Sequence, residues 1–206
     1  MRGGNSRIAG SALQEIAAPL LIGLLVFRQV LGTVCSSSMI MMESGAFFVG
    51  VIVGILATVT MDVVAMIAFR FGIAGRGSRR TGPDLIGRWI GYLLRGKFRH
   101  TDILQTPPLP GELLLGFAAH YSIGIVLTLV YLGLLAVAHA TPTALSAILY
   151  GTATTVLPWF LMFPSQGMGW LGRDAPGDAH LARISLFNHM IFGLGIALWM
   201  AVMRPI

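Results

Sequence analysis

Long apolar runs constrain this chain more than any other feature of its sequence. One run, residues 111–138, contains no charged side chain after Glu112 and a single histidine, His120. A helix crosses a bilayer with about 20 apolar residues, because the hydrocarbon core is about 30 Å thick and each residue rises about 1.5 Å. The sequence therefore predicts membrane spans near residues 46–71, 111–138, 143–163 and 184–203.

These spans are predicted to be helices rather than strands of a barrel. Every backbone polar group must be paired inside the bilayer, which restricts spanning segments to helices or closed barrels. The runs exceed about 18 residues and lack alternation of period two, a pattern that is typical of helices. The predicted fold class is an all-α integral membrane protein, with a four-helix transmembrane bundle over residues 45–206.

The composition excludes a separate soluble domain and several kinds of site. Of the 206 residues, 55% are hydrophobic and 11% are charged, whereas soluble domains carry about 25% charged residues. The single cysteine, Cys35, excludes an intrachain disulfide and a cysteine-based zinc site. We expect no metal and no cofactor, although His120 and His189 could act as paired axial haem ligands. The net charge of +6 indicates contact with anionic lipid headgroups rather than with nucleic acid.

Residues 1–44 form an N-terminal extension that has three interpretations. The apolar run of residues 16–34 contains Arg28, and an arginine at mid-span costs about 2.5–3.5 kcal/mol. The run could be a marginal extra transmembrane helix, or an uncleaved signal anchor, because no small-x-small cleavage site follows it. The third interpretation is a mis-called start, with translation beginning at the methionines of residues 39–42.

The loop of residues 72–110 is strongly basic and contains a predicted amphipathic helix near residues 83–95. Leu85, Trp89 and neighbouring apolar residues form one side of this helix, which is expected to lie on the membrane surface. The basic residues either set the topology and contact anionic headgroups or form a phosphate pocket. The residues predicted to make these anion or headgroup contacts are Arg88, Arg95, Lys97, Arg99 and His100. Outside such a pocket, His100 is expected to be a solvated loop residue.

The distribution of Lys and Arg predicts the orientation of the bundle. Basic residues concentrate in the loops 72–110 and 164–183, whereas the turn of residues 140–142 has none. Because an excess of Lys and Arg marks cytoplasmic loops, both long loops and the amphipathic helix are predicted to be cytoplasmic. We therefore expect a multi-pass protein of a bacterial inner membrane.

Polar side chains recur at one depth in the predicted spans. Asp62, His120 and His189 lie within roughly 7–14 Å of the same membrane face, at about 1.5 Å per residue. The predicted polar intramembrane cluster consists of Asp62, His120, Tyr121, Asn188 and His189. Ionisable groups at such a depth are expensive and tend to have a partner or a function. The cluster either fixes the register of the helices by hydrogen bonds or lines a polar cavity that relays protons.

Small residues are spaced for close packing between helices. Gly50 and Gly54 lie about one helical turn apart, a spacing that lets another helix approach. The predicted packing positions are Gly50, Gly54, Gly116, Gly124 and Gly193. A homodimer could form through the Gly50–Gly54 face.

Four blocks of sequence resemble a known family. They are GRWIGYLLRGKFRH (87–100), PPLPGELLLGFAAHYSIG (107–124), LPWFLMFPSQGMGW (157–170) and NHMIFGLG (188–195). In this order they resemble the bacterial membrane family catalogued as domain of unknown function 2938, from near residue 46 almost to the C-terminus. The resemblance implies a small helical inner-membrane protein without an established activity, and residues 1–44 fall outside it.

Three functions are compatible with these features. The leading hypothesis is a small transporter or proton-linked permease subunit, whose polar site is formed by Asp62, His120 and His189. The alternative is a membrane enzyme acting on a lipid or phosphorylated substrate at the cytoplasmic face, with His120 or His189 as acid–base group and residues 88–100 holding the anion. The third is a structural or assembly subunit of a larger complex. Whether the chain is an enzyme stays open at this point.

Overall fold

The structure is a computed structural model that describes residues 44–72, 82–175 and 180–203, and this part of the chain contains helices and no strands. The helices are α1 (Ser44–Arg70), α2 (Pro83–Leu93), α3 (Glu112–Val137), α4 (Ala144–Ala153), α5 (Phe163–Ser165) and α6 (Leu181–Val202). A π-helix, Pro158–Met162, precedes α5, and a 3₁₀ turn, Trp170–Gly172, follows it. The described residues begin at Ser44. The N-terminal extension, for which the sequence has three interpretations, therefore lies almost entirely outside them.

Four helical segments are long and apolar enough to cross a membrane. They are Gly45–Arg70, Glu112–Val137, Ala144–Ser165 and Leu181–Val202. This confirms the prediction of an all-helical chain with four apolar spans, and each observed boundary lies within about three residues of the predicted one. The chain is thus a multi-pass membrane protein.

The four spanning helices form a closed ring. α1 packs against α3 and α6, and α6 packs against α4. Two tyrosines close the ring between α3 and α4: the Tyr150 hydroxyl donates to the Leu127 carbonyl at 2.7 Å, and the Tyr131 hydroxyl lies 2.8 Å from Ser146 Oγ. The ring encloses an apolar core of Val53, Ala57, Tyr131, Ala147, Phe192 and Ile196.

The third span is interrupted at its middle. α4 ends at Ala153, where the hydroxyls of Thr154 and Thr155 donate to the carbonyls of Gly151 and Thr152. Pro158 has no backbone N–H, and the chain continues from it as a π-helix rather than an α-helix. A proline within a span commonly interrupts its helix, and the structure places this change of helix type at Pro158.

Glycines set the distances between the helices. A Cβ on Gly54 would lie 2.7 Å from the Cα of Ile125 in α3, and one on Gly50 would lie 2.7 Å from the Leu129 side chain. The Gly50–Gly54 face is therefore occupied by α3 of the same chain. This corrects the expectation that the face mediates a homodimer, while the homodimer itself stays a prediction.

The other predicted packing glycines also lie at helix contacts. Gly124 of α3 faces the Thr58 side chain of α1, and Gly193 of α6 faces the backbone of α4 near Ala147. Gly116 of α3 faces the Pro83 carbonyl at the start of α2. These contacts let α1, α2, α3, α4 and α6 approach one another closely.

α2 packs inside the protein along much of its apolar side. Leu85 and Trp89 are buried in a second core, which we call the loop-side core. It contains Leu85, Trp89, Ile103, Phe163, Met168, Ala175 and Leu181. The expectation that Leu85 and Trp89 lie against the membrane surface is therefore wrong, because residues of both long loops cover them. Leu93, at the end of the helix, is exposed.

Candidate functional site

Three helices bring their ionisable residues to one depth in the bundle. Asp62 lies eight residues before the end of α1 at Arg70, and His120 lies eight residues after the start of α3 at Glu112. His189 lies eight residues after the start of α6 at Leu181. At about 1.5 Å per residue, each group lies about 12 Å along its helix from the end on the side of α2.

Asp62 is in direct contact with His120 and Tyr121. Asp62 Oδ1 lies 3.0 Å from Nε2 of His120, and the Tyr121 hydroxyl donates to Oδ2 at 3.1 Å. The side chains of His120 and Asp62 are only partly covered, with exposed fractions of 23% and 37%. Both carboxylate oxygens thus have a partner, and the cluster remains accessible from outside the protein core.

The hydrogen bonds of Thr154 identify the tautomer of neutral His189. The Thr154 hydroxyl donates its only proton to the Gly151 carbonyl, at 2.6 Å. Its oxygen lies 2.7 Å from Nδ1 of His189, so Nδ1 must carry the hydrogen of this second bond. Nε2 of neutral His189 is therefore a free acceptor, and no group within the described ranges donates to it.

A cavity joins the two histidines. It has a volume of about 60 Å³ and is lined by side chains of α1, α3 and α6, including Thr58, Met61, His120 and His189. A water molecule needs at least about 10–15 Å³ of such a volume and several polar partners, so there is room for more than one. Hydrogen-bonded water could therefore connect the two imidazoles.

Asn188 is not connected to the rest of the predicted cluster. Its side chain is partly buried and makes no hydrogen bond to any other described residue. The structure thus brings together Asp62, His120 and Tyr121, places His189 across the cavity, and leaves Asn188 apart. Sequence analysis missed Thr154, and its only sequence signal is its position shortly before Pro158 in a predicted span.

The predicted anion-contact residues divide into an enclosed group and an exposed group. Arg88 belongs to the enclosed group. The Arg88 guanidinium binds both oxygens of Glu112, at 2.9 and 2.7 Å, and also donates to the carbonyls of Ile103 and Thr106. These bonds to Glu112 raise the pKa of Arg88. Arg88 thus connects α2 to α3, and most of its donors are already used within the chain.

His100 also belongs to the enclosed group. Only 5% of this residue is exposed, which corrects the expectation of a solvated loop histidine. Its backbone N–H donates to the Ser165 carbonyl at 2.7 Å, which ties it to the second long loop. Nδ1 lies 3.1 Å from Thr106 Oγ1, whereas Nε2 is buried and unpaired within the part of the chain that the structure describes. Burial lowers the pKa of His100, and the nearby positive charge of Lys97 lowers it further.

The other three basic residues lie at the surface. Arg95, Lys97 and Arg99 are exposed, and in the described ranges none forms an ion pair with an acidic side chain. Arg95 and Lys97 lie over the Tyr92 ring, at 5.9 and 5.5 Å from its centroid. No cluster of three or more His, Cys, Asp or Glu that could hold a metal ion occurs among the residues that the structure covers.

Comparison with known proteins identifies the family of the chain. The sequence model of a family described as "Protein of unknown function (DUF2938)" matches residues 51–203. This confirms the resemblance seen in the four sequence blocks. Neither the curated proteins nor the solved structures include a match to the chain.

Proposed function

Since the chain belongs to the DUF2938 family, whose function is unknown, we propose a function from the site itself. The protein is a small transporter or proton-linked permease subunit, in which the Asp62–His120 pair takes up and releases a proton. The observation that carries this proposal is the 3.0 Å contact between Asp62 and His120 beside the cavity that His120 shares with His189.

The chemistry of the pair supports proton exchange. Imidazole is the side chain whose ordinary pKa lies closest to physiological pH. A carboxylate in contact with it compensates the positive charge that His120 acquires on protonation. Ionisable groups inside a membrane are rare and mark proton relays in pumps and transporters. Asp62, held by His120 and Tyr121, has the partners that such a relay needs.

The size of the cavity favours protons and water over an organic solute. Sites for small molecules typically enclose about 300–1,000 Å³, whereas this cavity has a volume of about 60 Å³. The proton step is therefore assigned to this chain. A larger solute would pass between two copies of the chain or along another subunit.

His189 and the interrupted third span support the same function. His189 offers Nε2 as a second proton acceptor, because Thr154 accepts the hydrogen of Nδ1. Thr154 lies where α4 ends, four residues before the π-helix begins at Pro158. π-helical segments occur frequently at functional sites, and interrupted helices form the ion sites of many transporters.

We assign the α2 side of the bundle to the cytoplasm of a bacterial inner membrane. Exposed Arg95, Lys97 and Arg99 lie in one long loop on this side, and Arg173 lies in the other. Positive residues next to spans resist translocation, which supports this orientation.

The enzyme alternative has less support. It requires the segment of residues 88–100 to hold a phosphorylated substrate. Arg88, the best-placed cation of that segment, is engaged by Glu112 and two carbonyls. An anion would have to displace a bidentate carboxylate to bind there.

Proton flux into liposomes tests the proposal. The purified chain is reconstituted with a pH-sensitive dye inside, the membrane potential is clamped with potassium and valinomycin, and a pH gradient is imposed. Wild-type protein is expected to dissipate the gradient faster than protein-free liposomes do. His120→Gln keeps a nitrogen or oxygen near the position of Nε2 but cannot carry the proton, so the flux should fall by at least roughly tenfold. Asp62→Asn should have the same effect.

Trp199→Phe provides the matched control. Trp199 donates from Nε1 to Thr60 Oγ1 at 3.0 Å, so the variant also removes an interhelical polar contact, but one outside the cluster. Its flux should equal that of wild type. If His120→Gln and Asp62→Asn also conduct like wild type, the cluster only fixes helix register and the proposal fails.

A further inference from the structure

An exposed tip that is both basic and apolar follows α2. We call it the basic tip and define it by Leu94, Arg95, Lys97, Phe98 and Arg99. Leu94 is 77% exposed and Phe98 is 38% exposed, and the three cations between and beside them are exposed too. Solvated loops rarely present large apolar residues in such alternation with cations, whereas membrane-surface segments do.

The backbone of the basic tip is held in place. The Lys97 N–H donates to the Tyr92 carbonyl at 2.9 Å, and Trp89 Nε1 donates to the Phe98 carbonyl at 3.0 Å. Gly96 between them has a φ of +82°, a conformation that favours glycine. The tip is thus preorganised, which lowers the entropy lost when it binds a ligand.

The tip follows a helix that packs against the end of a span. α2 lies against the first turns of α3: a Cβ on Gly87 would overlap the Glu112 carbonyl, and one on Gly116 would overlap the Pro83 carbonyl. Because the span of α3 begins at Glu112, this contact places α2 beside the end of a span, and the tip comes directly after α2 in the chain.

The positive charges of the tip are not neutralised within the described part of the chain. Glu112, the acidic residue at the α2–α3 contact, is bound to Arg88 through both carboxylate oxygens. Asp102, in the loop after the tip, accepts from the Leu104 N–H and forms no ion pair with a described residue. The three cations are therefore available to an anion from outside the chain.

We propose that the basic tip binds anionic phospholipids. Arg95, Lys97 and Arg99 contact the headgroup phosphates, and Leu94 and Phe98 insert among the adjoining acyl chains. Arg and Lys bind phosphate oxygens through charge-assisted hydrogen bonds, and clustered basic residues near a membrane are attracted to its anionic lipids. This inference is independent of the proton-linked function.

Lipid retention tests the proposal. The full chain is reconstituted in nanodiscs of equal parts phosphatidylcholine and phosphatidylglycerol, extracted in mild detergent, and examined by native mass spectrometry. Wild-type protein should retain phosphatidylglycerol in preference to phosphatidylcholine. The triple variant Arg95→Gln, Lys97→Gln, Arg99→Gln should lower this preference by roughly tenfold. Leu94→Ser with Phe98→Ser should lower it less, because the phosphate contacts remain.

A matched triple variant separates the tip from net charge. Arg70, Arg173 and Arg183 are exposed, form no ion pair with a described residue, and are spread along the chain. Changing all three to Gln removes the same charge and should leave the preference at the wild-type value. The proposal is overturned if this control loses the preference equally, or if the tip variant keeps it. Equal retention of the two lipids by wild-type protein that nevertheless binds inorganic phosphate would overturn it too, because the site would then recognise free phosphate rather than an anionic lipid. Unfolding curves of all variants verify that each is folded.

Discussion

The described part of the chain contains two pairs of an acidic and a basic residue, and the pairs differ in how completely they are enclosed. Arg88 and Glu112 have side chains that are 11% and 14% exposed, and the arginine makes four hydrogen bonds within the chain. His120 and Asp62 are 23% and 37% exposed, and His120 lines a cavity. Most donors and acceptors of Arg88 and Glu112 are thus used within the chain. His120 and Asp62 make one hydrogen bond to each other and keep part of their surface free for further hydrogen bonds.

This difference separates a structural pair from a candidate functional one. The bidentate geometry of Arg88 and Glu112 fixes how α2 sits on α3, and a change of protonation would break it. His120 and Asp62 make a single contact of 3.0 Å with each other, without the bidentate geometry of the first pair. The same comparison can be made quantitative by variants in each region.

Breaking the enclosed pair should have the largest effect on stability. Arg88→Met leaves the Glu112 carboxylate without its partner and removes donors from two carbonyls. The free energy of unfolding should fall by about 2–3 kcal/mol, as expected when a largely covered carboxylate loses the hydrogen bonds of its charged partner. Unfolding in detergent, followed by tryptophan fluorescence, measures it.

Asp62→Asn is the comparison variant for this experiment. An interhelical polar contact in a membrane averages about 0.6 kcal/mol, so this change should cost less than about 1 kcal/mol. Arg88→Met with Glu112→Leu should recover part of the lost stability, since no unpaired charge remains. If Arg88→Met and Asp62→Asn lower the free energy of unfolding equally, the enclosed pair contributes no more to stability than the pair of His120 and Asp62.

The contact between α2 and α3 should be the next most sensitive position. In Gly87→Ala the new methyl group would overlap the Glu112 carbonyl, which belongs to the backbone and cannot rotate away. We expect a loss of about 1–3 kcal/mol in the free energy of unfolding, measured as above. Gly133→Ala in α3 is the control, because a Cβ there meets nothing within 4 Å. That variant should be neutral or slightly more stable, since alanine favours helices.

The spans and the depth of the polar residues could be predicted from the sequence. Long apolar runs are a strong signal, because the thickness of the bilayer sets their length. Asp62, His120 and His189 followed from counting residues to the ends of those runs. The contacts between these residues could not be predicted in this way, because hydrogen bonds also depend on the rotation of each helix about its axis.

The loop-side core could not be predicted from local patterns. Arg88 and Glu112 are 24 residues apart, and His100 is fixed by the carbonyl of Ser165, which lies at the end of α5. An amphipathic helix has the same pattern whether its apolar side meets lipid or protein, so the burial of Leu85 and Trp89 had no distinct signal. The sequence likewise has no distinct signal that separates the enclosed basic residues from the exposed ones.

The smallest expected effect on stability is the pH dependence that comes from the buried His100. Thr106 donates its hydroxyl proton to the Asp102 carbonyl, so it accepts a hydrogen from Nδ1 of neutral His100, and Nε2 is left without hydrogen. The groups around the ring are Tyr92, Lys97 and Thr106, none of them acidic. Protonation would place a charge and an unpaired N–H in the interior, which is why burial lowers the pKa of His100.

The sign of the pH dependence follows from this lowered pKa. The unfolded chain binds a proton at His100 near pH 6.5, and the folded chain binds it only at lower pH. Stability from neutral His100 is therefore fully present above about pH 6.5 and falls as the pH drops towards the folded-state pKa, by at most about 1.4 kcal/mol per pH unit. Unfolding curves of wild-type protein should show a smaller free energy of unfolding at pH 5.5 than at pH 7.5. His100→Gln, which cannot titrate, should be less stable at pH 7.5 but should lose less on acidification. If wild-type protein and His100→Gln lose the same stability on acidification, the loss comes from other histidines and His100 does not contribute to it.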